Sequence, residues 1–301
     1  MKQPTLRSTR LAAAMIGFLG MAANAHGGSP LPTAVWTLDG FAEPESVVLD
    51  RRHNRLIVSN VDGHPGQADG EGFLSLVDLD GRMVEREWVS GFDAPKGMAI
   101  FGGLLYVSDL TRLHVVHLAS GAVVDTHVVD DASFLNDVTA TEDGNVFVTD
   151  MMAEAVYRLH EGRVERWIED ERLHHPNGIL SYRDHLVVGN WGEGLQEDFT
   201  TMSPGGLLAF MAADRRGISL EPIAGATELG NIDGIVALPD GFLVSDWVKG
   251  SLFLVPHDGG ATQEFPLKPG IADIGAGNGG VYVPFMHDGR IGAYEYEQFK
   301  R

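Results

Sequence analysis

Residues 136–150 read NDVTATEDGNVFVTD: a polar pair opens a short apolar strand, a turn follows, and a second apolar strand ends in aspartate. This unit occurs six times. Its second strand is the most regular part: RLIVSN at 55–60, LLYVSD at 104–109, NVFVTD at 145–150, HLVVGN at 185–190, GFLVSD at 241–246 and GVYVPF at 280–285. A third strand follows every pair, and a fourth follows the first five. Units of about 40–50 residues with four strands each predict a β-propeller.

The two ends of the repeat array indicate how the propeller closes. The sixth unit stops after its third strand, whereas TAVWTLD at 33–39 adds a strand before the first unit. Pairing this N-terminal strand with the last blade would close the ring and remove an open sheet edge. The predicted fold is therefore all-β: a six-bladed propeller with four-stranded blades, formed as a single domain by residues 26–301.

Residues 1–25 have the pattern of a signal peptide. Lys2, Arg7 and Arg10 form a basic start, residues 11–22 are apolar, and residues 23–25 (ANA) give a small-x-small cleavage site. The apolar run is short for a membrane span, which needs roughly 20 residues. We therefore expect an exported protein, periplasmic or secreted.

Composition restricts the possible partners. The 301 residues include no cysteine and carry a formal net charge of −20. The lack of cysteine excludes disulfides, thiolate metal sites and cysteine nucleophiles. The negative charge disfavours nucleic acid and anionic lipid. The expected partner is a small molecule, with neither nucleic acid nor membrane involved, and the expected state is a monomer.

A glycine-rich stretch, GAGNGG at 275–280, matches a dinucleotide-binding motif by letter. It precedes a strand rather than a helix, which that motif does not allow. We predict that these glycines form turns in the last blade.

The predicted topology gathers residues that are distant in sequence. The first strand of each blade lines the central channel, so the residue that opens it lies at one mouth. These six residues form what we call the mouth ring: Glu45, Lys96, Asn136, Asn177, Asp233 and Ala272. Four of them carry side-chain oxygens of the kind that calcium and magnesium prefer. Because clustered carboxylates are costly without a counter-charge, Glu45, Asn136, Asn177 and Asp233 predict a metal site.

Local hydrogen bonding is an alternative to metal binding for these residues. Asn and Asp often begin or end strands because their side chains bind neighbouring backbone groups. The recurrent Asp or Asn that ends each second strand is interpreted as turn chemistry first. Lys96 could neutralise a carboxylate, bind a substrate anion, or turn outward along the rim.

The loops between second and third strands should surround the same mouth. The fourth, residues 190–205, is long enough to predict a lid or a binding wall. Apolar or aromatic candidates for lining a pocket are Met151, Trp191, Trp247, Phe285 and His287. Each of them could instead pack between blades.

At these residues the chain resembles the senescence marker protein/gluconolactonase family of regucalcin-like lactonases. It is also similar to the related diisopropyl fluorophosphatase and paraoxonase propellers. The matching segments are Pro44-Glu45-Ser46, Leu135-Asn136-Asp137, His175-Pro176-Asn177-Gly178-Ile179 and Asp233-Gly234-Ile235. The resemblance implies that Glu45, Asn177 and Asp233 hold a divalent ion and that Asn136 faces the ion or the substrate. Lys96 departs from the family pattern, and no residue firmly matches the family's substrate-binding arginine.

The leading functional prediction is metal-dependent hydrolysis of a lactone or ester, with Asp233 as general base. Ca²⁺ is the expected cation, with Mg²⁺, Mn²⁺ or Zn²⁺ as alternatives. Predicted substrate-binding residues are Asn136, Lys96, Trp191, Trp247 and His287. The alternative is a non-catalytic exported propeller that binds a small ligand or a protein. A third possibility is an ion that only stabilises the ring.

Overall fold

Each sequence repeat forms one four-stranded antiparallel sheet in the computed structural model, which describes residues 31–211 and 219–300. The predicted signal peptide, residues 1–25, lies outside the described residues. Within the described ranges, no helix is both long and apolar enough to cross a membrane.

The strands follow one another around the propeller. β1 (Trp36–Asp39) comes first and joins the last blade. Blade one contains β2 (Pro44–Asp50), β3 (Arg55–Asn60), β4 (Gly72–Asp78) and β5 (Met83–Phe92). Blade two contains β6 (Pro95–Phe101), β7 (Leu104–Asp109), β8 (Arg112–His117) and β9 (Ala122–Val128). Blade three contains β10 (Leu135–Ala140), β11 (Val146–Asp150), β12 (Ala155–His160) and β13 (Arg163–Glu169).

The second half repeats this arrangement with one insertion. Blade four begins with β14 (Pro176–Tyr182) and β15 (His185–Asn190). A small hairpin of β16 (Gly192–Glu193) and β17 (Ser203–Pro204) follows, before β18 (Leu207–Met211) and β19 (Glu221–Pro222) complete the blade. Blade five contains β20 (Ile232–Leu238), β21 (Gly241–Asp246), β22 (Ser251–Pro256) and β23 (Gln263–Pro266). Blade six contains β24 (Gly275–Gly277), β25 (Gly280–Phe285) and β26 (Arg290–Glu295), together with β1. Short 3-10 helices span Glu171–Leu173, Met286–Asp288 and Tyr296–Phe299.

The ring closes as the sequence predicts. The inner strands contact one another in the order β2, β6, β10, β14, β20 and β24, and β24 returns to β2. β1 pairs antiparallel with β26, with Trp36 opposite Ala293. Beside this seam, Thr33 and Gln298 exchange two hydrogen bonds of 2.6 and 2.9 Å. The predicted six-bladed propeller, closed by the N-terminal strand, is confirmed.

The apolar core lies between the blades. Both faces of most inner and middle strands are covered by neighbouring sheets, so these strands are nearly continuously apolar, as in VFV at 146–148. Among the described residues, buried apolar side chains form six clusters, one for each pair of adjacent blades. Each fully buried Val, Leu or Phe contributes about 1.5–3 kcal/mol, so these clusters hold adjacent blades together.

The Asp residues that end the second strands of blades two and three bind the backbone just before the inner strand of their own blade. The Asp109 carboxylate accepts hydrogen bonds from the backbone N–H groups of Asp93 (2.9 Å) and Ala94 (2.7 Å), just before β6. Asp150 does the same for Ser133 and Phe134, just before β10. Their interpretation as turn chemistry is confirmed.

The glycine-rich stretch at 275–280 corrects one prediction. Its first three residues form the inner strand β24, and only Asn278 and Gly279 form a turn. A Cβ atom on Gly275 would lie 2.2 Å from the backbone carbonyl oxygen of Val47. Glycine is required there because β24 packs closely against blade one where the ring closes.

Candidate metal and substrate site

One pocket of about 230 Å³ opens at the channel mouth and contains most of the predicted site residues. Its floor is formed by five members of the mouth ring: Glu45, Lys96, Asn136, Asn177 and Asp233. The sixth member, Ala272, is fully buried. The propeller therefore brings together residues separated by almost 200 positions, as the sequence predicts.

The floor contains four buried oxygens that lack a partner. Among the described residues, nothing donates a hydrogen bond to Glu45 Oε2, Asn136 Oδ1, Asn177 Oδ1 or Asp233 Oδ1. Leaving a buried polar atom unpaired costs about 1–3 kcal/mol, so four at one place require a partner. Carboxylate and carboxamide oxygens are hard ligands, and this donor set fits a divalent cation such as Ca²⁺.

These four ligand groups differ from those of a metal site built only from His, Cys, Asp and Glu side chains. No group of three or more His, Cys, Asp or Glu side chains is arranged for metal binding within residues 31–211 and 219–300. Two of the four unpaired oxygens come from asparagines, which such a group does not include. The set therefore favours hard, oxygen-preferring cations over zinc.

The channel also concentrates negative charge. Burial raises the pKa of Glu45 well above its usual value, and the nearby Asp233 and Asp273 carboxylates raise it further. Burial and the Asp273 and Asp137 carboxylates likewise raise the pKa of Asp233. Burial raises the pKa of Asp273 to about 7 although Ser46 donates a hydrogen bond to it. Of the buried carboxyl groups of Glu45, Asp137, Asp233 and Asp273, only Glu45 interacts with Lys96, so a cation would offset the charge that remains when they ionise.

Lys96 points inward and is 1% exposed. Its ammonium donates to the backbone carbonyl oxygens of Pro65 (2.9 Å) and Ala94 (3.0 Å) and lies 4.4 Å from the centre of the Phe134 ring. Burial lowers the pKa of Lys96 to about 8, against the opposing effect of the Glu45 and Asp109 carboxylates. Of the alternatives for this residue, the outward orientation is wrong.

A second layer lies directly beneath the mouth ring, and we call it the inner ring. Its members are Ser46, Gly97, Asp137, Gly178, Gly234 and Asp273. A Cβ atom on Gly178 would lie 2.2 Å from the carbonyl oxygen of Asp233. Asp137 accepts hydrogen bonds from the backbone N–H groups of Val138 (2.6 Å) and Ile179 (2.7 Å), which ties blade three to blade four.

Side-chain hydroxyls on the second strands hold the mouth ring from blade to blade. Thr149 accepts from the Asp137 N–H at 3.0 Å and donates to the carbonyl oxygen of Asn177, in the next blade, at 2.6 Å. Ser245 donates to the carbonyl oxygen of Ala272 at 2.8 Å, and Ser108 donates to that of Asn136. We call Ser108, Thr149 and Ser245 the bridging hydroxyls. The sequence contains a signal for them, since each lies in a repeated V-[ST]-D ending, of which only the aspartate has an interpretation from sequence.

The upper pocket has an aromatic wall formed by Trp191, Trp247 and His287. The Trp191 and Trp247 ring centres are 6.0 Å apart, and His287 meets Trp247 edge-on at 4.9 Å. The long loop at 190–205, which contains the β16–β17 hairpin, supplies Trp191 and Phe199. Trp191 donates its indole N–H to the Phe199 carbonyl oxygen at 2.7 Å, so the hairpin is fixed to the wall.

The lining both matches and extends the sequence prediction. Met151, Trp191, Trp247 and His287 line the pocket, whereas Phe285 packs in the apolar cluster between blades five and six. Sequence reasoning missed six lining residues: Glu43, Gly63, Pro65, Phe134, Phe199 and Met286. Phe134 lies two positions before Asn136, a place at the channel mouth that the repeat could have indicated.

Comparisons with known proteins define the class of fold. No family model and no curated protein matches the sequence. The chain is a six-bladed β-propeller, and it is similar to solved structures at low sequence identity. One is a candidate gluconolactonase, with a TM-score of 0.61 and 17% identity over 85% of this chain and 89% of that one.

Two further structures show how broadly this fold is used. Virginiamycin B lyase from Staphylococcus aureus has a TM-score of 0.58 and 13% identity, over 86% of this chain and 98% of the lyase chain. A chain of a nidogen–laminin complex has a TM-score of 0.57 and 13% identity, over 74% of this chain and 80% of that one. At these identities the likeness concerns the fold, and function has to be argued from the site.

Proposed function

We propose that this propeller is a divalent-metal-dependent hydrolase of a lactone or ester. The observation that carries the proposal is the set of four unpaired, buried oxygens on Glu45, Asn136, Asn177 and Asp233 at the floor of one open pocket. The resemblance to gluconolactonase-type propellers, and the structural similarity to a candidate gluconolactonase, agree with it.

The donor set supports the choice of a divalent cation. Glu45, Asn136, Asn177 and Asp233 would hold it, and their two carboxylates balance its charge. Ca²⁺ is the expected ion, with Mg²⁺, Mn²⁺ or Zn²⁺ as alternatives. Once bound, such a cation would polarise the substrate carbonyl and stabilise negative charge on its oxygen.

The protein's own groups then position and deprotonate water. Asp233 acts as general base through a carboxylate oxygen that stays free or acts through an ordered water. In the cation-free protein, burial and the Asp273 and Asp137 carboxylates raise the pKa of Asp233. The Asn136 carboxamide orients the water or the substrate. Water adds to the carbonyl carbon, the acyl C–O bond breaks, and the proton passes to the leaving oxygen.

Lys96 and the aromatic wall act around this centre. The Lys96 ammonium holds Pro65 and Phe134 in place and offsets the charge of Glu45. Any N–H of Lys96 that is not bound to a backbone carbonyl remains for the substrate. Trp191, Trp247 and His287 bind the part of the substrate that does not react.

The test is a hydrolysis screen of lactones and esters with the exported form of the chain. Each substrate is measured with Ca²⁺, Mg²⁺, Mn²⁺ or Zn²⁺ and after chelation. We expect chelation to abolish turnover and the added cation to restore it. The Glu45→Gln variant should turn over the same substrate more slowly. Glu161→Gln, on an exposed hairpin turn of blade three, is the matched control and should be unaffected. Turnover that survives complete removal of metal contradicts the proposal.

The second candidate is a binding propeller without catalysis. The similarity to a chain from a nidogen–laminin complex shows that this fold also occurs in a protein–protein assembly. This candidate predicts no turnover across the screen and partner capture that Glu45→Gln leaves unchanged.

A further inference from the structure

The upper pocket is lined by apolar side chains. Six of them are aromatic or thioether side chains above the mouth ring: Phe134, Met151, Trp191, Phe199, Trp247 and Met286. They come from the loops of blades three to six, so they surround the space in which the non-reacting part of a substrate would lie. Aromatic and thioether side chains bind apolar groups well but do not accept hydrogen bonds strongly.

Hydrogen-bonding side chains are scarce at the same level. Of the described residues that line the pocket above the mouth ring, only Glu43 and His287 carry strongly polar side chains, and both are exposed at the rim. The Trp191 indole N–H is already bound to Phe199. A ligand with several hydroxyl groups would therefore lose more hydrogen bonds to water than it gains to the protein, at a cost of about 1–3 kcal/mol for each group left unpaired.

Charge in the pocket argues against an anionic substrate. The Lys96 ammonium is bound to two backbone carbonyls and packs on Phe134, so at most one of its three N–H groups is left for a substrate. Glu43 at the rim is acidic, and the carboxylates of Glu45 and Asp233 at the floor already balance the proposed cation. A substrate carboxylate would therefore be repelled by Glu43 and would find no uncompensated positive charge below it.

The volume of the pocket limits the size of the substrate group that it can enclose. An apolar cavity of about 150 Å³ accepts benzene. A pocket of about 230 Å³ therefore has space for one ring and a short substituent, while a longer tail would leave through the open mouth.

Resting on the proposed function, we infer that the substrate is an uncharged lactone or ester with one compact apolar group, and not a polyhydroxylated sugar lactone. The aromatic wall is the part that selects it. Trp247, which contacts both other members of the wall, is the residue that sets this preference.

Three δ-lactones with the same reacting group test the inference: δ-valerolactone, its butyl derivative δ-nonalactone, and δ-gluconolactone. Each buried methylene should raise kcat/KM about fourfold. We expect δ-nonalactone to exceed δ-valerolactone at least tenfold and δ-gluconolactone to be the poorest. Trp247→Ala should reduce the ratio of δ-nonalactone to δ-valerolactone at least tenfold, and Trp247→Phe should preserve most of it.

A binding measurement separates this inference from the proposed function. Tryptophan fluorescence is titrated with 4-propylcyclohexanone, which cannot be hydrolysed, and with the polyol myo-inositol. Turnover that favours δ-gluconolactone overturns the inference and supports the hydrolase. Binding of the ketone alone, without turnover of any lactone, supports the pocket preference and overturns the hydrolase. If inositol binds as well as the ketone, the inference is wrong whatever the turnover.

Discussion

Trp36 donates its indole N–H to the backbone carbonyl oxygen of Leu79 at 3.0 Å, which joins the last blade to the first. Trp36 lies on β1, and its ring also contacts Tyr282 on β25 with ring centres 6.2 Å apart. Both contacts belong to the apolar cluster between blades six and one. This indole therefore fastens the only blade that is assembled from both ends of the described chain.

Replacing Trp36 with alanine should weaken the closure. Removing a half-buried tryptophan leaves space at the seam and an unpaired Leu79 carbonyl, and we expect the free energy of unfolding to fall by about 2–3 kcal/mol. Urea denaturation measures the change. Val35→Ala, at an exposed neighbouring position, is the control. A loss below about 0.5 kcal/mol for Trp36→Ala would show that the seam does not depend on the indole.

The bridging hydroxyls give a second prediction. Thr149→Val removes the hydroxyl that joins Asp137 to Asn177 but keeps the shape of the side chain. Two buried backbone groups lose their partner, so stability should fall by about 1–3 kcal/mol, and Ca²⁺ affinity should fall because Asn177 is less well positioned. Thr149→Ser retains the hydroxyl and should restore most of both properties. Equal effects of the two substitutions, in urea denaturation and calcium titration, would contradict this role.

Asp233→Asn tests the general base. The substitution keeps an oxygen donor but removes the charge and the basic group. We expect kcat to fall by about 10²–10⁴, the usual contribution of a positioned acid or base, while Ca²⁺ still binds with weaker affinity. Steady-state kinetics and calcium titration of the same preparation separate the two effects. If Asp233→Asn retains activity, another group takes the proton.

The channel carboxyls predict how pH acts on stability. A carboxyl group whose pKa is higher in the folded state stabilises that state fully below its unfolded pKa, about 4. This stabilisation is lost as pH rises toward the folded pKa, which is about 7 for Asp273. Without a divalent cation, the protein should therefore lose stability between about pH 4 and pH 7.

Added Ca²⁺ should reverse this loss, because it binds the ionised carboxylates. At one hundred times the dissociation constant it adds about 2.7 kcal/mol, which should raise Tm at pH 8 by roughly 5–10 °C. The shift should be much smaller at pH 5. Thermal unfolding at both pH values measures it, with NaCl at equal ionic strength as the control. An equal shift at both pH values, or the same shift with NaCl, argues against a cation bound by these residues.

The repeat made the architecture and the mouth ring predictable from sequence. Because the same position opens every inner strand, Glu45 and Asp233 could be placed at one mouth without any knowledge of their contacts. The closing strand, predicted at 33–39 and observed at Trp36–Asp39, was predictable for a similar reason, since the sixth unit lacked one strand.

Other features depend on contacts that no repeat encodes. The ammonium of Lys96 donates to Pro65, which lies between β3 and β4 of blade one, and this contact fixes the direction of the lysine side chain. Phe199 reaches the pocket only because the β16–β17 hairpin folds back and Trp191 binds its carbonyl oxygen. The glycines at 275–277 form a strand because Val47, from the other end of the ring, packs against them. Each case depends on how distant segments pack.

The paired hydrogen bonds between Thr33 and Gln298 bring the beginning and the end of the propeller's path within bonding distance. A short peptide could connect these two positions, and new termini could be opened at an exposed turn such as Glu161–Gly162 without interrupting any sheet. Such a circularly permuted protein should keep all six blades in the same spatial order. The packing of the six blades therefore does not depend on which blade comes first in the chain.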